Sequence, residues 1–390
     1  MDSQVVGEGL VLEAFSEAEY RRRHRALLAH AHAAGCAGLL VTSPQHLVYV
    51  AGDPTGFQRT GVQLGLSAVL LAERDSTFVV RRYEADSART ASPIARVTDY
   101  MGDVERPIEV IARELHEMGL AGGRVGAALD RWGLTPRDQA DLRRLVPGLD
   151  LVDLSAEVDA VADRKSGEEL EVMRRCMRVT ELGVDAFRHG ARPGASEAEI
   201  AAAILAAMTA AGSEPPFYHP FVLSGEHAAL PHGVWSARTV QPDEPVFLEV
   251  SAALRHYHAP LVRTVLAGRD PEIERVHAVA CEALQAAVDA IGPGALTGEV
   301  DRAARAVVER AGLGEGFRHR TGYSVGIDWV TRGATSLAPG GQEELLPGMT
   351  FHLPLNLFVS GRFCVGASNT VAVTEDGSEP LGDAPLGLTA

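Results

Sequence analysis

The chain has 390 residues, 46% of them hydrophobic and 23% charged, with a formal net charge of −16; this length exceeds one ordinary core and predicts two domains. The acidic balance argues against a nucleic-acid backbone as partner, because phosphate binding needs a basic footprint. No segment approaches the roughly 18 consecutive apolar residues of a membrane span. Lys165 is the only lysine, so a lysine-anchored cofactor would depend on one residue in a charged helix start, and no cofactor is expected. Cys36, Cys176, Cys281 and Cys364 lie far apart without a Cys-x-x-Cys pair, which disfavours structural zinc and a disulfide framework. Met1-Asp2-Ser3-Gln4 lacks the basic flank and apolar core of a signal peptide, so a cytoplasmic protein is expected.

In chain order, helical spacing over Ser16 to Ala34 leads into a short buried strand, Gly38 to Thr42, ended by Ser43-Pro44. Strands are predicted at His46 to Ala51, Ala68 to Ala72, Thr77 to Arg81, Arg124 to Ala128 and Leu149 to Asp153, with a helix near Pro107 to Met118. This alternation predicts an α/β domain. From Ser155 through Ala186 the pattern becomes one long helical run, with Leu170, Met173, Met177 and Leu182 on its apolar face. The domain junction falls here, giving domains 1–156 and 157–390.

The second half repeats itself at an offset of 100 residues: Pro193-Gly194-Ala195 matches Pro293-Gly294-Ala295, Glu199-Ile200 matches Glu299-Val300, and Phe217 and His219 match Phe317 and His319. Ser196 to Glu199 fits a capping box. Two copies are too few for a solenoid and predict a duplicated α+β unit closed about a pseudo-twofold axis.

Polar residues concentrate within apolar strand sequence in three stretches of this half. The first, Phe217 to Trp235, holds His219, His232 and Trp235; the second, Val246 to Thr264, holds Glu249, His258 and Arg263; the third, Phe317 to Ser324, holds His319 and Tyr323 and is followed by His352. Buried ionisable groups are costly unless paired or used, so such clustering marks a candidate site. Glu249 interrupts the run Val246 to Val250 and is either a paired structural charge or a reactive group. A lone strand histidine is commonly a satisfied core residue; several beside a buried carboxylate favour a site.

The series Ala229-Leu230-Pro231-His232, Val246-Phe247-Leu248-Glu249, Arg263-Thr264, His319-Arg320-Thr321-Gly322-Tyr323 and Pro347-Gly348-Met349-Thr350-Phe351 resembles the creatinase and prolidase (pita-bread) superfamily. Val80-Arg81-Arg82-Tyr83-Glu84 and Tyr49-Val50-Ala51-Gly52 look like the creatinase N-terminal domain, so the resemblance spans nearly the whole chain. It implies an α/β N-terminal creatinase-like domain and an α+β pita-bread catalytic domain with an internal pseudo-twofold repeat. It also implies a homodimer.

Metallopeptidases of this superfamily hold two metal ions through aspartate, histidine and glutamate. The resemblance places Glu249, Pro260, Tyr323, and Leu353 and Ser368 at or near those positions, and proline and leucine side chains cannot ligate a metal. A metal-free branch is therefore expected. His232 matches creatinase, but Val262 replaces that enzyme's acidic residue before Arg-Thr. Ectoine hydrolases look more similar through His232-Gly233-Val234-Trp235, Arg255-His256-Tyr257-His258-Ala259-Pro260-Leu261 and Thr350-Phe351-His352, although Asp53-Pro54-Thr55-Gly56-Phe57 departs from them.

The expected activity is metal-independent hydrolysis of a non-peptide carbon–nitrogen bond in a small molecule. His232 is assigned acid/base work and Glu249 the role of nucleophile or general base. His219, Trp235, His258, Arg263, His319, Tyr323 and His352 are the expected substrate-binding residues, with Arg263 either holding a substrate carboxylate or pairing internally. The competing expectations are a catalytically silent binding module and a metallopeptidase with relocated ligands, which would recruit His219, His319 and His352.

Overall fold

The computed structural model describes residues 15–52, 65–130, 133–327, 329 and 335–389, together with the backbone of a short antiparallel pair, Gln4–Val5 with Val11–Leu12. Asp53 to Phe57 lie outside the described residues. Internal contacts divide the chain into two units, Met1–Ala162 and Asp163–Ala390.

The first unit is built on a six-stranded sheet. In chain order its elements are α1 (Glu17–Ala33), β1 (Leu39–Val41), α2 (Pro44–Ala51), β2 (Ala68–Leu71), β3 (Thr77–Arg81), β4 (Arg96–Tyr100), α3 (Pro107–Glu117), β5 (Arg124–Ala127), α4 (Pro136–Leu145), β6 (Asp150–Asp153) and α5 (Ser155–Asp163). The strand order is β4-β3-β2-β1-β5-β6. β1 to β3 pair antiparallel, whereas β3–β4, β1–β5 and β5–β6 are parallel. The all-buried β1 and β2 suit a sheet with a core on its faces, and Ile108, Ile111 and Leu115 of α3 join Leu40, Leu70 and Val79 in that core.

Residues His46 to Ala51, expected as a strand, belong to α2 instead. Ser43-Pro44, read as a strand terminator, places Pro44 in the first turn with Ser43 as N-cap, and Gly52 ends the helix in the left-handed region (φ 62°). The Val-Tyr-Val run is buried throughout, so it carries no period to separate helix from strand.

The expected long helix is two helices. α5 ends at Asp163, and α6 (Gly167–Gly190) restarts at Ser166, whose side chain and that of Glu169 form a capping box. Met173 and Met177 are buried on α6, but Leu182 is 46% exposed and lies off the apolar face. Lys165, in the break, is buried and donates to the Asp163 carbonyl at 3.0 Å.

The second unit continues with α7 (Glu197–Ala210), β7 (Phe221–Ser224), β8 (Pro245–Val250), β9 (Leu261–Leu266), α8 (Pro271–Ala290) and α9 (Thr297–Arg310). It closes with β10 (Gly322–Ser324), β11 (Thr350–His352), β12 (Leu355–Val359), β13 (Phe363–Ala367), β14 (Thr370–Val373) and β15 (Ser378–Pro380). The 100-residue repeat is reproduced in the backbone: α7 and α9 start at 197 and 297 and end at 210 and 310. Gly194 and Gly294 precede them at φ 88° and 86°, values that favour glycine. Their N–H groups donate to Val240 and Leu345, whose own N–H groups return to Ala195 and Ala295. The copies place two antiparallel sheets, one ordered β9-β8-β7 and one in which β10, β11, β14 and β15 are successive neighbours.

Candidate active site

Glu249 owes its position to β8. Its cross-strand neighbours are Phe221 on β7 and Val262 on β9, and by strand alternation it shares a face with Phe247, opposite Leu248 and Val250. That face looks into a cavity of about 310 Å³, at the small end for ligand pockets. Glu249 lines it with His232, His319 and Tyr323, so four of the expected site residues meet in one place.

Among the described residues, nothing donates a hydrogen bond to Glu249 and no cation pairs with it. Burial alone raises its carboxyl to about 7. A desolvated carboxyl without donors disfavours its charge, and this is the physical cause. Its charge is felt nearby: burial first, and then Glu249, hold the Tyr323 phenol and the Cys364 thiol well above their usual values.

His232 follows the short 3₁₀ turn Gly225–Ala229 and has φ 57°, a left-handed conformation uncommon outside glycine and enriched at functional sites. It is exposed at the cavity rim, its ring centre 5.8 Å from that of Phe221. His319 sets its Nδ1 2.7 Å from the Arg320 carbonyl, and its buried Nε2 has no hydrogen-bond partner within 3.5 Å among the described residues. Burial lowers its basicity.

The remaining expected residues have other places. Trp235 and His219 pack on each other with ring centres 5.0 Å apart, and His219 touches Phe221, so they stand behind the cavity wall. His258 is buried with both ring nitrogens engaged: Nδ1 lies 2.9 Å from the His256 carbonyl and Nε2 accepts the Phe217 N–H at 3.0 Å. His352 is likewise fully buried, with Nδ1 3.0 Å from the Tyr323 hydroxyl and Nε2 2.8 Å from Ser368 Oγ. Substrate contact by His258 and His352 is therefore corrected to a structural setting.

Arg263 needs the same correction. It lies opposite Leu248 in the ladder, on the face away from Glu249, and donates to the carbonyls of Val262, Ser368, Ala384 and Pro385 at 2.5–3.0 Å. It does not pair with Glu249.

Sequence reasoning missed Arg318, Arg320 and Asn356, which also line the cavity. Arg320 is half-buried, donates to Ser336 Oγ at 3.2 Å and stands 4.7 Å from the Tyr323 ring centre. No carboxylate among the described residues pairs with it. Its place in the quoted His319-Arg320-Thr321-Gly322-Tyr323 string was an available signal. Asn356, whose Oδ1 is buried without a partner among the described residues, gave none.

A dinuclear metal centre does not fit these side chains. Among the described residues no three His, Cys, Asp or Glu side chains converge as metal donors. Among the described residues Glu249 is the only carboxylate lining the cavity, and the other positions at or near which the resemblance implies metal ligands carry Pro260, Tyr323, Leu353 and Ser368.

Residues 171–375 match the model for metallopeptidase family M24, and residues 23–161 match the creatinase/prolidase N-terminal domain. A probable dipeptidase PepE of Mycobacterium tuberculosis is 30% identical over 390 residues, covering 95% of this chain and 96% of that protein. The ectoine hydrolase of Halomonas elongata is 26% identical over 396 residues, covering 96% and 97%. The crystal structure of dipeptidase PepE from Mycobacterium ulcerans superimposes with a TM-score of 0.83 at 27% identity, covering 96% of this chain and 98% of that one. Both halves of the molecule, the sheet domain and the duplicated unit that carries the cavity, thus place the chain in the M24 family of hydrolases, with its creatinase/prolidase N-terminal domain.

Proposed function

We propose that this protein hydrolyses a carbon–nitrogen bond other than a peptide bond in a small molecule, and does so without a metal ion. The observation that carries this reading is Glu249: a carboxyl without a partner among the described residues, raised to about 7 by burial, where the family resemblance implies the first metal-binding aspartate. A carboxyl with this value is matched to proton transfer at neutral pH. As general base, Glu249 takes a proton from water while the oxygen adds to the carbon of the scissile bond. His232, at the cavity rim, then gives a proton to the departing nitrogen as the carbon–nitrogen bond breaks. As nucleophile, Glu249 would attack that carbon itself and water would release the acyl intermediate. Arg320, which lines the cavity with Arg318, offers a cation to an anionic group of the substrate, one of the two roles expected of Arg263.

The similarity to ectoine hydrolase supports a cyclic amidine as the leading substrate, with guanidino compounds and small amides next. Screening ectoine, hydroxyectoine and creatine for turnover by the purified protein identifies the class. Full activity is expected after exhaustive chelation, and loss of activity that manganese or cobalt restores would overturn the metal-free reading in favour of a dipeptidase-like metalloenzyme. His232→Ala and Glu249→Gln are each expected to abolish turnover in folded protein. The reading includes a cytoplasmic homodimer, which sedimentation of the purified protein tests for assembly; no helix among the described residues is long and apolar enough to cross a membrane.

A further inference from the structure

From Tyr323 on the cavity wall runs a chain of side chains that the hydrolytic roles leave unused: Tyr323 with Trp329, then His352 and Ser368. His352 is 0% exposed, with Nε2 2.8 Å from Ser368 Oγ and Nδ1 3.0 Å from the Tyr323 hydroxyl. Burial, then the Arg263 charge, pushes its imidazole down to about 3, so it is neutral and carries one N–H and one lone pair. Two proton arrangements are open to it.

The ends of the chain choose between them. The backbone N–H of Val262 donates to Ser368 Oγ at 2.5 Å, and Trp329 Nε1 donates to the Tyr323 oxygen at 3.2 Å; both groups are donors only. If His352 carried its proton on Nε2, Ser368 would accept twice. Its own hydroxyl hydrogen, in a residue 0% exposed, would then have no acceptor among the described residues. A buried donor left without an acceptor forfeits the hydrogen bond it made to water and is destabilising. With the proton on Nδ1 this cost disappears: Ser368 donates to Nε2, His352 donates to the phenol oxygen, and Trp329 supplies the second bond to that oxygen. The phenol hydrogen is then the one hydrogen of the chain left over, on a residue that lines the cavity with Glu249.

We propose that Ser368 and His352 are positioning residues that hold the Tyr323 hydroxyl with its hydrogen directed into the cavity, as a fixed donor to the oxygen or nitrogen on which negative charge develops during hydrolysis. Donors aimed in advance at developing charge stabilise the transition state without reorganising at the moment of reaction. The phenol gives a hydrogen bond and keeps its proton. Arg263 anchors the base of the chain, since it donates to the Ser368 carbonyl at 2.5 Å and to that of Val262 at 2.7 Å. Two positions that the family resemblance aligns with metal ligands, Tyr323 and Ser368, thereby serve one hydrogen-bond relay. The inference rests on the reading of this cavity as the hydrolytic site.

The test needs no substrate in its first arm. In protein labelled with ¹⁵N-histidine, long-range ¹H–¹⁵N correlation spectra report which ring nitrogen of His352 is protonated. The signal is assigned by its loss in His352→Asn or its response in Tyr323→Phe. The expected result is a neutral ring protonated on Nδ1 and unchanged from pH 8 to pH 5. Ser368→Ala should move the proton to Nε2, and Ser368→Thr should restore it. Protonation on Nε2 in the unaltered protein, a charged ring in this range, or an unchanged tautomer in folded Ser368→Ala overturns the proposal. The wild-type spectrum decides the point even if a variant does not fold. With a substrate in hand, Tyr323→Phe should lower kcat about 10²-fold, the size of one lost oxyanion donor. Ser368→Ala should lower kcat with KM nearly unchanged, and Ser368→Thr should recover it. A tautomer as expected without any carbon–nitrogen hydrolysis removes only the hydrolase reading; turnover with the opposite tautomer removes only the relay.

Discussion

Two carboxylates are set into the same half of the second unit, one at the start of α7 and one in the middle of β8, and they have opposite fates. Glu197 is 0% exposed and accepts five hydrogen bonds: from the N–H and Oγ of Ser224, the N–H and Oγ of Ser236, and Nδ1 of His227, at 2.8–2.9 Å. Burial pushes its carboxyl up, but the His227, Ser236 and Ser224 bonds together outweigh it and leave it below the usual value. Glu249 has burial and no donors among the described residues, and rises to about 7. Burial alone therefore does not make a carboxylate structural or reactive; the donors around it decide. The cage at Glu197 fixes the loop that follows β7, and this loop carries His232. The uncaged Glu249 is left able to exchange a proton.

The comparison breaks most visibly at Glu249. Glu249→Gln should lower kcat/KM by about 10³-fold or more, the range of a lost general base or nucleophile, without loss of fold. A glutamine variant that keeps turnover would make Glu249 a structural residue after all. At Glu197 the same substitution should act on stability: removing one partner from a buried charged network costs about 3–5 kcal/mol, measured as a lower midpoint in urea. Glu197→Gln with unchanged stability would show that its hydrogen bonds hold nothing in place.

Dependence on pH sharpens the contrast. Between pH 4.5 and about 7 the folded protein retains a proton on Glu249 that the unfolded chain has released. Its contribution to stability is thus full below 4.5 and is lost as pH rises through 7, a change of at most about 3 kcal/mol. Subtracting the Glu249→Gln profile from that of the unaltered protein isolates this limb, and a flat difference would refute the assigned value. The kcat/KM of the unaltered enzyme should rise through the same pH, as Glu249 ionises. Glu197 has the opposite sign, since its lowered value adds stability above pH 4.5 that is lost as pH falls. His352, held at about 3, and His277, held at about 4, are neutral in the fold while the unfolded chain protonates near 6.5, so stability also falls below that pH. The smallest expected effect is that of His227→Ala, about 1.5–3 kcal/mol for one charge-assisted bond in the Glu197 cage; a thermal unfolding series measures it.

Much of the architecture was legible because it repeats. The offset between Pro193-Gly194 and Pro293-Gly294 marks two turns that need the same left-handed glycine, and the helices that follow keep the spacing. His46 to Ala51 was misread because Val48, Tyr49 and Val50 are all buried and leave no polar residue to show a period. Glu249 was legible because a charge among the four apolar residues of the run Val246 to Val250 has few structural explanations. His258, Arg263 and His352 were placed too near the chemistry because their partners, Phe217, Pro385 and Ser368, lie 41, 122 and 16 residues away and no local pattern announces them.

By itself, the sequence determined the two-part organisation, the duplicated turns and caps, and the absence of ligating side chains at positions such as Pro260 and Leu353, since each follows from what a residue type can do within a few neighbours. Only the tertiary structure decided which polar residues are satisfied. Arg263 and His258 found carbonyl and amide partners, Glu197 found a full cage, and Glu249 and Arg320 found no opposite charge among the described residues. Hydrogen bonding is settled by groups brought within about 3 Å from distant parts of the chain, and this is the information that separates a buried structural charge from a reactive one.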